Sequence, residues 1–260
     1  DALGRLVINH LNNFKVDSSL IRLVKGDVRL SFAVVESTIK DHQSIIYRNS
    51  AADLFMNTDD VIKIDYSQFS CLIVTGTCLA SEPSRTAIFE AFNLAKKNGL
   101  PIFLDLDYRA YTWGSTEEAA TIYLKAAKEC DVVIGNDEEF GLMAGNYKDG
   151  FKLAKELINS SSIIAYKKGK NGSIAFVENE TIKTGVFKVK ALKPTGAGDA
   201  FIGAFIGSML NNKSVKESFE YGSAAAAIVV TKVGCSSAMP YQEDLYDFLK
   251  NNKISSYKEI

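Results

Sequence analysis

The sequence predicts an α/β fold: a doubly wound, mainly parallel sheet with helices on both faces, plus a small partial β-sheet lid. Three observations carry this prediction. From residue 70 onward, short apolar runs alternate with stretches of helical period, the rhythm of βα units. The runs at 71–75, 101–105 and 131–135 have glycine or polar residues at or just after their ends, and in open parallel sheets those carboxyl ends face the ligand. A glycine-rich stretch, Pro194-Thr195-Gly196-Ala197-Gly198-Asp199, then opens a strongly apolar helix.

Composition excludes several classes of function. With 260 residues, 47% hydrophobic and 23% charged, the chain is long enough for one large α/β domain. A formal net charge of −1 gives no support for a nucleic-acid or membrane-surface partner, and no apolar run reaches membrane length. Cys71, Cys78, Cys130 and Cys235 form no C-x-x-C pair, which points to free thiols in a reducing cytoplasm. The two histidines, His10 and His42, lie near no other candidate ligand, against a zinc site or a His-based triad. No G-x-G-x-x-G follows the first strand of the alternating region, which disfavours a dinucleotide-binding dehydrogenase.

In chain order, residues 1–11 read as a helix already under way. Residues 28–36 and 43–48 read as two strands joined by a polar turn at 40–42. The first strand of the alternating region follows at 71–75. A helix is expected over 84–98, with Ala87, Ile88, Ala91, Phe92 and Ala95 on its buried face and Gly99 stopping it. After the strand at 101–105, Ser115-Thr116-Glu117-Glu118 reads as a capping box for a helix to about 130. Strands are expected at 131–135 and 162–166, with Asn171-Gly172 marking a tight hairpin turn and Asn179 a further turn between short strands. The apolar helix spans 199–210, a second capping box at Ser214–Glu217 opens the next helix, and a last one runs over 242–251.

The glycine loop carries the chemistry. At a helix N-terminus, unpaired backbone N–H groups and the positive end of the dipole suit a phosphate. Gly196 and Gly198 let the backbone approach it closely. Asp199 stands beside that site, where a carboxylate can take a proton from an attacking hydroxyl. A bare G-x-G-D is equally a glycine turn with a dipole-satisfying acid. The longer string, PTGAGDAFIGAF, resembles the D-T-x-G-A-G-D-x-F signature of the ribokinase-like (PfkB) carbohydrate kinases.

That resemblance implies ATP and Mg2+ as cofactors and assigns roles residue by residue. Gly196, Ala197 and Gly198 would form the anion hole and Asp199 would be the catalytic base. Asn136 and Glu139 fit the family's N-x-x-E, which holds magnesium largely through waters and helps place the phosphates. Lys167 and Gly169 fit a K-x-G-x-x-G form near the nucleotide. Ala225, Val229 and Gly234 would line the adenine pocket. The segment Tyr47-Arg48-Asn49-Ser50-Ala51-Ala52-Asp53 resembles the substrate-facing Y-R-x-x-A-A-D of kinases acting on acidic keto-sugars, where Arg48 would meet a carboxylate.

Asp105-Leu106-Asp107-Tyr108-Arg109-Ala110-Tyr111-Thr112-Trp113 is similar to the D-x-D-Y-R-P-Y-x-W of the family's inositol-breakdown members. Those phosphorylate the terminal hydroxyl of 5-dehydro-2-deoxy-D-gluconate. Asp107 and Arg109 would then contact the sugar acid. The family proline is Ala110 here. The 2-keto-3-deoxygluconate kinases, which usually carry Asn at the place of Asp107, are the nearest alternative; fructokinases and ribokinases are further off. A sugar- or nucleotide-binding protein without turnover stays open as a different class.

Two departures stand out. Lys193-Pro194 replaces the usual acid-threonine before the anion hole. That acid commonly helps hold a monovalent cation, so a monovalent-cation requirement is doubtful and weak potassium dependence is expected. The D-x-x-G helix at the start follows, in the family, a portion carrying the first strands, a glycine pair and part of the sugar site. The resemblance thus implies one kinase domain over 1–260 lacking that portion, with a partial lid at about 28–50. Family lids often pair into homodimers; the half-lid leaves the oligomeric state open.

Overall fold

The computed structural model describes residues 1–35 and 44–258. Helix α1 (Ala2–Asn13) does have an N-cap: the Asp1 carboxylate accepts the Gly4 N–H at 2.7 Å. Strands β1 (Phe32–Val35) and β2 (Ser44–Tyr47) then form an antiparallel ribbon, as the sequence predicts. The expected turn at 40–42 lies outside the described residues. In this register Phe32 faces Tyr47 and Val34 faces Ile45, so all four share one face of the ribbon, and all four are exposed.

After the short α2 (Thr58–Ile62), the alternating region unfolds as expected. It runs β3 (Leu72–Thr75), α3 (Ser84–Lys97), β4 (Ile102–Asp105), α4 (Thr116–Ala127), β5 (Val132–Asn136), α5 (Asp137–Met143), α6 (Gly150–Glu156) and β6 (Ile163–Lys167). Strands β7 (Ser173–Val177) and β8 (Glu180–Thr184) follow, then α7 (Ala197–Leu210), α8 (Val215–Val230) and α9 (Gln242–Asn251). The six strands from β3 to β8 lie side by side in sequence order. The β3 to β6 pairs are parallel, and β7 and β8 add on antiparallel.

Strand alternation sorts the core into two layers. Leu104, Val133 and Ile164 turn to one face and pack with Phe92 of α3, Tyr123 of α4 and Phe140 of α5. Phe103, Ile134 and Ala165 turn to the other face and meet Phe201, Phe205 and Ile206 of α7 and Phe219 of α8. The strands read as unbroken apolar runs because helices cover both faces. All five α3 residues expected inside are buried.

Two local expectations need correction. Ser115 caps α4, its hydroxyl accepting the Glu118 N–H at 3.1 Å. The Glu118 carboxylate, however, does not complete the expected box but takes Arg85 Nη2 at 2.7 Å. Arg85 also donates to the Leu79 and Ala80 carbonyls, so a tertiary ion pair outweighs the local bond. The β6–β7 hairpin forms, but with a five-residue loop over 168–172 rather than a tight Asn-Gly turn. The Lys168 N–H donates to the Gly172 carbonyl at 2.8 Å, closing that loop. Gly172 sits at φ +105°, where a Cβ would stand 2.3 Å from the Thr184 carbonyl oxygen.

Candidate active site

Parallel pairing brings the carboxyl ends of β3 to β6 to one edge. Thr75 lies beside Asp105, and Asn136 beside Lys167. The N-terminus of α7 comes down onto this edge.

Gly196 is the N-cap of α7 in the left-handed region, at φ +86°, and no side chain caps the helix. A Cβ at Gly196 would meet Cys235 Sγ at 2.9 Å and Val229 Cγ1 at 3.1 Å. Glycine is therefore required here for backbone geometry and for space. Gly198 and Asp199, in the first turn, are exposed. The loop is thus an open helix N-terminus, with its carboxylate free to reach a ligand.

A buried lysine braces this loop. Lys193, only 7% exposed, donates from Nζ to the Thr195 carbonyl at 2.5 Å, one residue before Gly196. Cys235 packs against the same loop. Burial pushes its thiol pKa up, with the negative charge of Asp199 adding and Lys193 opposing.

Acidic groups gather under the loop. Asp105, at the end of β4 and 7% exposed, has Lys167 Nζ 4.0 Å from its Oδ1. Burial pushes the Asp105 carboxyl up to about 7; Lys167 opposes this, while Glu139, Asp107 and Asp199 add to it. Glu139 caps its own helix in a reciprocal box. Asn136 Oδ1 accepts the Glu139 N–H at 2.9 Å, and Glu139 Oε2 accepts the Asn136 N–H at 2.7 Å. Its other oxygen accepts the Tyr108 N–H at 3.1 Å. Burial raises the Glu139 pKa, against Lys167 and these two backbone donors.

Among the described residues no three His, Cys, Asp or Glu side chains form a cluster able to hold a metal ion. Both Glu139 oxygens already accept backbone bonds, each keeping one lone pair. The site therefore fits a divalent ion carried on phosphates and reached through water, the usual habit of magnesium, rather than a protein cage.

The expected sugar-facing residues converge nearby. Asp107 sits at φ +38°, unusual for a residue other than glycine, and pairs with Arg109 Nη2 at 2.5 Å. Burial raises the Asp107 pKa, with Arg109 the main opposing charge, then Lys167 and Arg48. Arg48 is more committed than the sequence suggests. Its Nε donates to Asp53 Oδ2 at 2.6 Å and its Nη1 to the Thr77 carbonyl at 2.9 Å, so only part of its fork faces a ligand. It lines a cavity of about 220 Å3 with Ser81, Tyr111 and Thr112.

The residues expected around the adenine lie in different surroundings. Val229 is fully buried and packs against the glycine loop, whereas Ala225, though buried in the α7–α8–α9 core, borders the cavity that runs along α7. Small side chains there serve close helix packing, so Val229 offers no open face. Gly234 lies outside that core, exposed at φ +92°, and Gly169 is exposed at φ +52° beside Lys167. A larger cavity, about 540 Å3, runs along the exposed glycine side of α7, bordered by Gly203, Tyr221, Tyr241 and Leu245, with Asp199 at its rim.

Asp105 is the residue of this cluster that its sequence motif does not single out. The available signal was an acid ending a strand otherwise wholly apolar, at the carboxyl edge of a parallel sheet.

Known proteins resemble this arrangement. The chain is 38% identical to a 5-dehydro-2-deoxygluconokinase of Geobacillus thermodenitrificans, over 98% of this chain and 77% of the relative. It is 37% identical to one of Clostridium tetani, over 97% and 77%. Among solved structures, a putative ribokinase II of E. coli in complex with ATP and Mg2+ superposes with a TM-score of 0.83 at 21% identity, covering 96% of this chain and 80% of that one. A fructokinase of Vibrio cholerae with fructose, ADP and calcium ion gives 0.82 at 23%, covering 96% and 82%. At those identities the structural likeness establishes the ribokinase-like fold. Residues 1–242 match the family described as pfkB family carbohydrate kinase. With that match and the curated relatives in agreement, the chain belongs to the pfkB family of carbohydrate kinases.

Proposed function

We propose that this kinase transfers the γ-phosphoryl group of ATP to the terminal hydroxyl of an acidic keto-sugar, 5-dehydro-2-deoxy-D-gluconate. The observation that carries the reading is the meeting of an exposed Asp199 at an uncapped helix N-terminus with Lys167 and the Asp107–Arg109 pair. The names of the curated relatives support the substrate, as does the Asp107-Tyr108-Arg109 string.

The chemistry is mostly positioning and charge stabilisation. Asp199 accepts the proton of the sugar hydroxyl. That oxygen bonds to the γ-phosphorus as the bond to the bridging oxygen breaks, and ADP leaves with the electron pair. The N–H groups of Gly196 and Gly198 face the charge on the transferring group, joined by that of Ala197 once it leaves its long 3.3 Å bond to the Pro194 carbonyl, and Lys167 supports them. Arg109, and the free part of the Arg48 fork, orient the sugar carboxylate. Asn136 and Glu139 would hold, through water, the Mg2+ that supplies charge compensation to the phosphates when bound. Gly169, Ala225 and Gly234 border the nucleotide, with Val229 packed behind the glycine loop.

Lys193 supports weak potassium dependence, because a fixed ammonium already occupies the underside of the loop. The domain reading is one catalytic unit with the ribbon around 28–50 as lid. The exposed apolar face of that ribbon supports pairing with a second copy. Four free cysteines suit a cytoplasmic setting.

The test is ADP release from magnesium–ATP with 5-dehydro-2-deoxygluconate, 2-keto-3-deoxygluconate, fructose and ribose, using Asp199→Asn as control. The expected outcome is turnover on the first, reduced about 100-fold or more in the variant, with ATP binding retained. Faster turnover on 2-keto-3-deoxygluconate reassigns the substrate. Nucleotide binding without turnover on any sugar overturns the kinase reading in favour of a binder.

A further inference from the structure

Asp105 and Lys167 end two strands that do not touch, β4 and β6, with β5 between them. Both side chains nevertheless turn to the α7 side of the sheet. Phe103, two residues before Asp105, and Ala165, two before Lys167, belong to the core layer under α7, and alternation carries that direction forward. The Lys167 ammonium lies 4.0 Å from Asp105 Oδ1, 5.9 Å from the centroid of the Phe201 ring, and 3.9 Å from where a Cβ on Gly198 would stand. It is thus held beneath the first turn of α7, between a buried carboxylate and the anion loop.

Three other carboxylates face this lysine or Asp105: Glu139 on α5, Asp107 on the loop after β4 and Asp199 on α7. The long, flexible lysine stem therefore has competing partners. Glu139 is occupied by the Asn136 and Tyr108 N–H groups, and Asp107 by Arg109. Asp199 is exposed and, among the described residues, its carboxylate takes no hydrogen bond or ion pair. A lysine drawn onto Asp199 would hold the base in an ion pair and leave the loop without its cation. The 4.0 Å separation from Asp105 is longer than a charge-assisted hydrogen bond of about 2.7–2.9 Å, so the ammonium is steered without being locked.

We propose that Asp105 is a positioning residue that keeps the Lys167 ammonium under Gly198, ready for phosphate, and away from Asp199. This rests on the kinase reading for its consequence in turnover, but not for its consequence in nucleotide binding. The burial of Asp105 is the cost of that placement; Lys167 is the chief charge that favours its ionised form.

The experiment is a double-mutant cycle with Asp105→Asn, Lys167→Met and the double variant. It is read as ATP dissociation constant without sugar, then as separate KM values for ATP and sugar. Asp105→Glu is the conservative rescue, and thermal melts confirm that each variant is folded. The expected result is ATP binding about 5- to 20-fold weaker in Asp105→Asn, a double variant no worse than Lys167→Met alone, sugar KM within about twofold, and substantial recovery in Asp105→Glu. Additive losses in the folded variants, or unchanged ATP binding in Asp105→Asn, overturn the proposal. Coupled binding effects in a protein with no turnover on any sugar support the Asp105–Lys167 relation while sinking the kinase reading, so the two failures are distinct.

Discussion

Glu139 accepts the Tyr108 N–H at 3.1 Å across 31 residues of sequence, while its second oxygen accepts the Asn136 N–H at 2.7 Å. One buried carboxylate thereby ties the start of α5 to the loop that carries Asp107 and Arg109. The residues proposed to face the nucleotide and those proposed to face the sugar share this clasp.

Replacing Glu139 by Gln puts an amide donor against a backbone donor on one side of the clasp. Burial leaves that mismatch without water to relieve it, for a cost of about 1–3 kcal/mol. Urea denaturation of Glu139→Gln should show a lower midpoint at an unchanged slope. A midpoint equal to that of the parent protein would contradict the described geometry.

Asp105 predicts a pH effect of definite sign. Its carboxyl pKa is raised on folding to about 7, so between about pH 4 and 7 the folded state binds more protons than the unfolded one. Stability from this group therefore falls as pH rises through that window, and stays low above it. Asp105→Asn removes the burden. The variant should be the more stable of the two at pH 8, by about 1–3 kcal/mol, with the difference closing toward pH 4. Guanidinium melts at both pH values measure this. A variant less stable at pH 8 would rule out a strained buried carboxylate.

Gly196→Ala meets two obstacles, the left-handed backbone at φ +86° and Cys235 Sγ 2.9 Å from the new methyl group. The expected destabilisation is about 1–3 kcal/mol, of which the backbone part is about 1 kcal/mol. Adding Cys235→Ala should restore only the steric share. Full restoration in thermal melts of the double variant would mean that backbone strain at Gly196 is negligible.

Potassium titrated into a potassium-free assay should change the rate less than about twofold, because the Lys193 ammonium already sits on the Thr195 carbonyl. Strong activation would show that the buried lysine does not substitute for a bound cation.

Much of the architecture was legible from the sequence, because its signals are short-range. The α3 face of Ala87, Ile88, Ala91, Phe92 and Ala95 follows from helical period. The Ser214–Glu217 box at α8 follows from residues three apart. The glycine loop opening α7 follows from the backbone demands of Gly196 and the apolar run behind it. Partner choice was less legible. Glu118 has a local partner in Ser115 and a distant one in Arg85, and only packing reveals that the guanidinium prevails. Arg48 reads as a free fork until Thr77 and Asp53 are seen to occupy it.

By itself, then, the sequence determined the doubly wound layering, the glycine loop that opens α7 and the family to which they belong. Periodicity, capping and turn chemistry act within a few residues and are written in order. The tertiary structure alone decided that Lys167 stands between Asp105 and Gly198, and that Val229 is buried behind Gly196. Those outcomes depend on side chains brought together from strands and helices tens of residues apart. There, burial and charge select one partner among several that the sequence leaves equally available.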